Sequence, residues 1–225
     1  MEKILIAVPC MDQMPVPFVQ SLVLLEKPPG CTLFMKCGSL IHAARNEIAL
    51  NAMEQEYDFV FWMDSDMVMK SDTLIRMMQT MKEKDLDILT GLYFRRVPPY
   101  TPVIFDKIEI KGDMCEWSDF KEIPKELFKV GACGFGCVLM KTDVFFDVQG
   151  RFGQMFTPIG MNGEDIAFCW RARQCGFDIW CDPSVICGHV SYSVIDDKFF
   201  KIFSEKGFKN GYAVTNDKDG TSAHD

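Results

Sequence analysis

Asp58-Phe59-Val60-Phe61-Trp62-Met63-Asp64-Ser65-Asp66 is the stretch on which the fold turns. A strongly hydrophobic strand runs into two acids, and Met67-Val68-Met69 follows in place of a solvated loop, which suits the floor of a cleft. Strand alternation sets both carboxylates on the same side of the chain. In open α/β sheets ligands sit outside the carboxyl ends of the strands, the position these acids hold. Two adjacent carboxylates repel each other unless a cation joins them, and Mg²⁺ or Mn²⁺ would then bridge them to phosphate oxygens. The competing reading is that Asp-Ser-Asp only ends a strand and begins a turn.

Around this segment, apolar runs of strand length alternate with helical patterns, the signature of a parallel sheet with crossover helices. The expected strands are Ile4 to Val8, Thr32 to Lys36, Asp58 to Met63 and Ile88 to Tyr93. Helices are expected over Val16 to Leu25, Leu40 to Gln55 and Asp72 to Glu83, the last with Ser71 as its N-cap. Lys107 to Lys111 and Met114 to Trp117 read as a hairpin about Gly112-Asp113, with antiparallel strands joining the sheet there. A strand around Cys137 to Met140 precedes a loop from Gly150 to Gly163, and a helix opens near Glu164 and stops at Gly176. Strands around Asp178 to Cys181 and Val185 to Cys187 follow, then an amphipathic helix carrying Phe199, Phe200, Ile202 and Phe203. The expected organisation is one domain over 1–215, with a nucleotide-binding half at 1–95, an acceptor-side half at 96–215, and a polar tail at 216–225.

Composition narrows the function. The 225 residues are 48% hydrophobic, enough for a substantial core, and the net charge of −8 argues against nucleic acid or anionic lipid as a partner. No signal peptide and no membrane-spanning segment is visible, and the ten scattered cysteines read as free thiols, so a cytoplasmic location is expected. Cys169, Cys175, Cys181 and Cys187 recur every sixth residue, but a series crossing a helix, a turn and strands does not converge on zinc as two close pairs would. Cys133 and Cys137 read as packing residues.

Three further signals carry chemistry. Ile41, Ala44, Ile48 and Ala52 form an apolar stripe, and Arg45 falls near its middle. A guanidinium aimed at a core needs a partner, either an anionic or uracil-like ligand or a carboxylate such as Asp64, unless the side chain snorkels to the surface. Gly163-Glu164-Asp165 puts two acids at a helix start, favourable on dipole grounds alone, yet a partly desolvated acid there can serve as a general base. His189, between Gly188 and Val190, is a candidate metal ligand, whereas His42 and His224 are weaker ones.

Taken in order, Val8-Pro9, Ala44-Arg45-Asn46, Asp64-Ser65-Asp66, Gly163-Glu164-Asp165 and Gly188-His189 resemble the glycosyltransferases of the GT-A fold, family-2-like, over residues 3 to about 190. That resemblance implies an α/β fold, a Rossmann-like mixed sheet flanked by helices. It also implies a UDP- or GDP-sugar donor whose diphosphate is held by Mn²⁺ or Mg²⁺. Asp64, Asp66 and His189 would form the metal site. Pro9, Cys10, Arg45, Asn46, Asp64, Ser65 and Asp66 would line the nucleotide and donor site. Asp165 would be the base of an inverting transfer and Glu164 would contact sugar hydroxyls, with a glycan, lipid or protein as the unidentified acceptor. The Gly131-Ala132-Cys133-Gly134-Phe135-Gly136 segment suits close backbone approach to a sugar. Rival readings are a retaining enzyme of the same fold and a non-catalytic nucleotide- or carbohydrate-binding protein. A nucleotidyltransferase would need a Gly-rich phosphate loop where Val8-Pro9-Cys10-Met11-Asp12 stands.

Overall fold

The computed structural model describes residues 2–112, 114–192, 208–209 and 212–213. In chain order the elements are β1 (Ile4–Cys10), α1 (Val16–Leu24), β2 (Cys31–Cys37), α2 (Ile41–Glu54), β3 (Phe59–Met63), β4 (Met67–Val68), α3 (Thr73–Lys84) and β5 (Ile88–Leu92). Then come β6 (Ile104–Phe105), β7 (Lys107–Lys111), β8 (Met114–Ser118), β9 (Phe128–Val130), β10 (Ala132–Cys133) and β11 (Cys137–Lys141). The described chain ends with α4 (Asp143–Phe152), α5 (Glu164–Gln174), β12 (Ile179–Ile186), β13 (Gly188–His189), β14 (Phe208–Lys209) and β15 (Tyr212–Ala213). Residues through Val190 form one compact unit; β14 and β15 pair antiparallel within a second. The amphipathic helix expected around Phe199 to Phe203, the 216–225 tail and His224 lie outside the described residues.

The main sheet has seven strands in the order β2-β1-β3-β11-β5-β12-β9. β1 runs parallel to β2 and β3, and β5 parallel to β12, while β11 lies antiparallel between β3 and β5 and β9 antiparallel at the edge. β1, β3 and β5 are buried on both faces because helices cover both. Leu5, Ala7, Val60 and Trp62 pack with α2, α4 and α5 on one face, and Ile4, Ile6, Phe61 and Met63 pack with α1 and α3 on the other. Phe156, fully buried, stacks on Phe168 at 4.4 Å and meets Trp62 and Phe135 edge-on at 5.3 Å each.

The mixed α/β architecture agrees with the sequence reading, and so do the hairpin strands and the end of α5, where Gly176 takes φ +98. Several details differ. The β7–β8 hairpin forms its own two-stranded sheet, and the strands that bring antiparallel pairing to the main sheet are β9 and β11. Helix α4 occupies 143–152, so the loop expected from Gly150 begins at Gly153, which caps the helix at φ +67. The strands expected at 178–181 and 185–187 are one strand whose register shifts between Asp182 and Ile186. Pro183 lacks an N–H, and Asp182 Oδ1 accepts the Ser184 N–H at 2.9 Å, so the strand bulges there and carries on. Ser71 does not cap α3; its hydroxyl donates to Glu26 Oε1 at 2.8 Å and Asp72 stands at the N-cap.

The aromatic layer under β3 holds the sheet to α4 and α5, so Phe156→Ala is expected to lower stability by about 3–5 kcal/mol. Chemical denaturation checks this, with an unchanged dependence on denaturant concentration marking an intact fold.

Candidate active site

At the C-terminal end of β3 the chain turns through Asp64-Ser65-Asp66, closed by the Met67 N–H donating to Asp64 O at 3.1 Å. The Asp64 N–H donates to Gly136 O at 3.3 Å, tying the turn to the start of β11. The two acids then face different partners. Asp64 Oδ1 accepts from Arg45 Nη2 at 2.7 Å, and Arg45 Nε donates to Glu164 Oε1 at 3.2 Å. Arg45 is 2% exposed, with its guanidinium 5.4 Å from the Trp62 ring and 5.3 Å from that of Phe135. Of the two partners that sequence allows this arginine, the carboxylate is thus present, and Glu164 is a second one.

Asp66 meets a different set. β13 pairs antiparallel with β4, placing His189 opposite Met67, and the Val190 N–H donates to Asp66 O at 2.8 Å. His189 Nε2 lies 3.4 Å from Asp66 Oδ2, and Arg96 Nη1 lies 2.9 Å from the same oxygen. His189 Nδ1 is 2.9 Å from Phe94 O, and because a carbonyl only accepts, Nδ1 carries the proton and Nε2 is directed at Asp66. Neutral His189 would set a lone pair against a carboxylate oxygen, an arrangement that needs a positive species between them. A proton supplies it in part: the hydrogen bond to Asp66 raises the His189 pKa against the opposing effect of burial. Burial would raise the Asp66 pKa, but His189 and Arg96 together hold it below its ordinary value. Two donors coordinated to one cation at about 2.1 Å in adjacent positions lie about 3 Å apart, so this pair also fits a divalent ion. Among the described residues no group of three or more acids, histidines and cysteines converges on a metal position, and Asp64 is committed to Arg45.

A cleft of about 220 Å³ opens beside these acids, with Pro9, Cys10, Ser39, Asp64, Ser65 and Asp66 on its walls. Most of the residues expected to line a donor site are therefore brought together. Two do not line it: Arg45 lies buried behind Asp64, and Asn46 Oδ1 accepts the Phe156 N–H at 2.9 Å, holding the segment between α4 and α5. Ser39 Oγ and Arg45 Nη1 are buried with no hydrogen-bond partner among the described residues, the state of polar atoms that a ligand or water would satisfy. The glycines of 131–136 have neighbours within the protein. A Cβ at Gly134 would strike Tyr93 Oη at 2.1 Å and one at Gly136 would strike the same ring at 2.9 Å, so Tyr93 packing requires both. The Tyr93 ring in turn stands edge-on to His189 at 5.5 Å. Sequence reading missed Tyr93 and Arg96, which lie in an apolar strand and a basic pair with no spacing signal.

Asp165 sits at the start of α5, its Oδ1 accepting the Ile166 N–H at 2.7 Å. Burial, with the neighbouring Glu164 charge, pushes its carboxyl up to about 6. A second cavity of about 280 Å³ lies against Gly163 and Ile166, walled by Trp117, Phe105, Arg95 and Met161. The six-residue cysteine series does not assemble: Cys169, Cys181 and Cys187 are buried in α5, β12 and the residue before β13, and Cys175 caps α5.

Two outcomes are expected from this geometry. Arg45→Ala strips the cation from Asp64 and Glu164 and should cost on the order of 3 kcal/mol; adding Asp64→Asn and Glu164→Gln should recover part of it in a thermal melt. Because Asp165 titrates near 6 when folded and near 3.8 when unfolded, the unfolded chain loses its proton first as pH rises. Its contribution is present below about pH 4 and is lost between about 4 and 6, on the order of 3 kcal/mol. Asp165→Asn should flatten that part of the stability profile, measured by denaturation at stepped pH.

No family model matches the sequence, and no curated protein matches it. Solved structures do match. A197 from STIV superposes with a TM-score of 0.60 at 19% identity, over 85% of this chain and 87% of that one. GalNAc-T7, solved with UDP, GalNAc and Mn²⁺, superposes with a TM-score of 0.58 at 10% identity, over 91% of this chain and 48% of that one, so this chain spans about half of its length. At such identities the likeness is one of fold, and the fold of this chain is GT-A-like.

Proposed function

We propose that this chain is a glycosyltransferase that moves a sugar from a UDP- or GDP-sugar to a hydroxyl of a glycan, lipid or protein acceptor. The observation that carries the reading is the Asp66–His189 pair, 3.4 Å apart at the mouth of a cleft at the C-terminal end of β3. Two protein ligands suit a cation that shares its remaining positions with diphosphate oxygens and water. Mn²⁺ or Mg²⁺ held there would neutralise the diphosphate as it leaves. The UDP and Mn²⁺ in GalNAc-T7, a protein of like fold, support the same choice.

The chain's own residues divide the remaining work. Pro9, Cys10 and Ser65 line the donor cleft, and Asp64, oriented by Arg45, accepts from ribose or donor-sugar hydroxyls. Asn46 acts at one remove, through the segment it holds at Phe156. Asp165 takes the acceptor hydroxyl's proton as the new C–O bond forms at the anomeric carbon and the bond to the diphosphate breaks. A carboxyl near 6 suits that task, since a base works best with a pKa close to the operating pH. Glu164, restrained by Arg45, contacts sugar hydroxyls. With the base opposite the leaving diphosphate, the transfer inverts the anomeric centre. Residues 1–95 form the nucleotide half and 96–215 the acceptor half of this assignment.

Calorimetry with UDP and GDP, with and without Mn²⁺, tests the reading, and binding that ignores the metal would count against it. Asp66→Asn should weaken metal-dependent binding at least about tenfold, and His189→Ala should raise the Mn²⁺ concentration needed. Asp165→Asn should lower turnover by roughly two to four orders of magnitude with donor affinity unchanged. Proton NMR of the first-formed product reads the stereochemistry, and a retained anomer removes Asp165 from the role of base.

A further inference from the structure

Cys10, the last residue of β1, lies on the cleft wall, and Cys37, the last residue of β2, is its register partner in the parallel pair. Their Sγ atoms are 2.9 Å apart although 27 residues separate them in the chain. Neighbouring strands lie about 4.8 Å apart, inside the range of about 4.4–6.8 Å between Cα atoms that a disulfide spans. The thiol neighbours Cys137 and Cys187, and Cys133 and Cys169, are enclosed in the core, whereas Cys37 is exposed. A small reagent therefore reaches Cys37 ahead of those four and finds Cys10 directly behind it.

We propose that Cys10 and Cys37 form a reversible thiol-modification site at the rim of the cleft, closing to a disulfide when a low-molecular-weight disulfide such as oxidised glutathione is in excess. Cys37, as thiolate, attacks one glutathione sulfur, forming a mixed disulfide and releasing one glutathione thiolate. Cys10 then loses its proton to solvent, attacks the Cys37 sulfur and releases the second glutathione thiolate. Both cysteines are oxidised and one glutathione disulfide is reduced to two thiols. The exposed Cys37 acts first because burial and the adjacent Cys37 thiol push Cys10 up to about 12. The contribution of Cys37 to that shift disappears once it carries glutathione, which eases the second step.

Closure joins the two loops that frame the cleft. β1 leads into Met11, and β2 leads through Gly38, at φ +73, to Ser39, with Met11 and Ser39 both on the cleft wall. The disulfide would fix the distance between them whatever the cleft binds, so this inference stands apart from the proposed activity.

The full chain, equilibrated in mixtures of reduced and oxidised glutathione, quenched with iodoacetamide and mapped by mass spectrometry, tests it. The expected product has Cys10 and Cys37 spared from alkylation, carries a link between their peptides, and returns to the dithiol in excess reduced glutathione. The exposed substitution Cys37→Ser should abolish that product while leaving the circular dichroism spectrum unchanged. Glutathione retained on Cys37 without closure, or a link between other cysteines, would overturn the site. Hydrogen exchange on the two forms reads the second part: amides at Met11, Gly38 and Ser39 should be slowed by oxidation, and equal exchange would remove the rim-fixing role.

Discussion

A guanidinium that is 2% exposed keeps its charge only where carboxylates stand close enough to replace water, and Arg45 has two of them. Asp64 comes from the end of β3, Glu164 from the first turn of α5, and Arg45 from the middle of α2. A central strand and two helices on one face of the sheet are therefore joined by one side chain, lying over the Trp62 and Phe135 rings. This fixes where β3 ends in space, and with it the Asp64-Ser65-Asp66 turn. The aromatic layer beneath supplies rigidity in place of charge, since the Trp62 and Phe135 rings under the guanidinium are themselves packed against Phe156 and Phe168.

On the far side of the turn the logic is reversed. Asp64 is neutralised from within, but Asp66 looks outward to His189 and Arg96, groups at 18% and 51% exposure that solvent and ions can reach. Two acids separated by one serine thus have different electrostatic neighbours, one a buried arginine and the other groups at the surface. The short β4–β13 pair makes this possible by carrying His189 from a late part of the chain back to Asp66. Tyr93, lodged against Gly134 and Gly136, keeps the imidazole ring from tilting away.

Much of this was legible in the residues. The uninterrupted apolar run 59–63 and the helical stripe of Ile41, Ala44, Ile48 and Ala52 are local patterns that tertiary context did not override, and all but Ile41 of that stripe are buried. Arg45 on that stripe announces a partner, and Asp64 is a carboxylate that can serve as one. What the residues could not disclose was pairing: nothing in 137–141 says that it runs antiparallel between β3 and β5, because an apolar strand reads alike in either direction. Helix α4 is hidden in the sequence although Val144, Phe145 and Val148 hold helical spacing, since Gly150 within it reads as a break. Asn46 shows the limit for sites. Its neighbour in sequence points to the cleft acids while its own side chain, one position round the helix, reaches Phe156.

The position of β11 sets the order in which the molecule can be made. β3 and β5 are complete by residue 92, yet each exposes an unpaired edge until residues 137–141 arrive to fill the gap between them. A ribosome-bound chain holding only the first half carries one open strand border on β3 and two on β5, whose other neighbour β12 comes later still, so the sheet becomes continuous late in synthesis. Truncation before residue 137 would leave β2, β1 and β3 as one ribbon and β5 with neither of its neighbours, with the β3 turn anchored on one side alone.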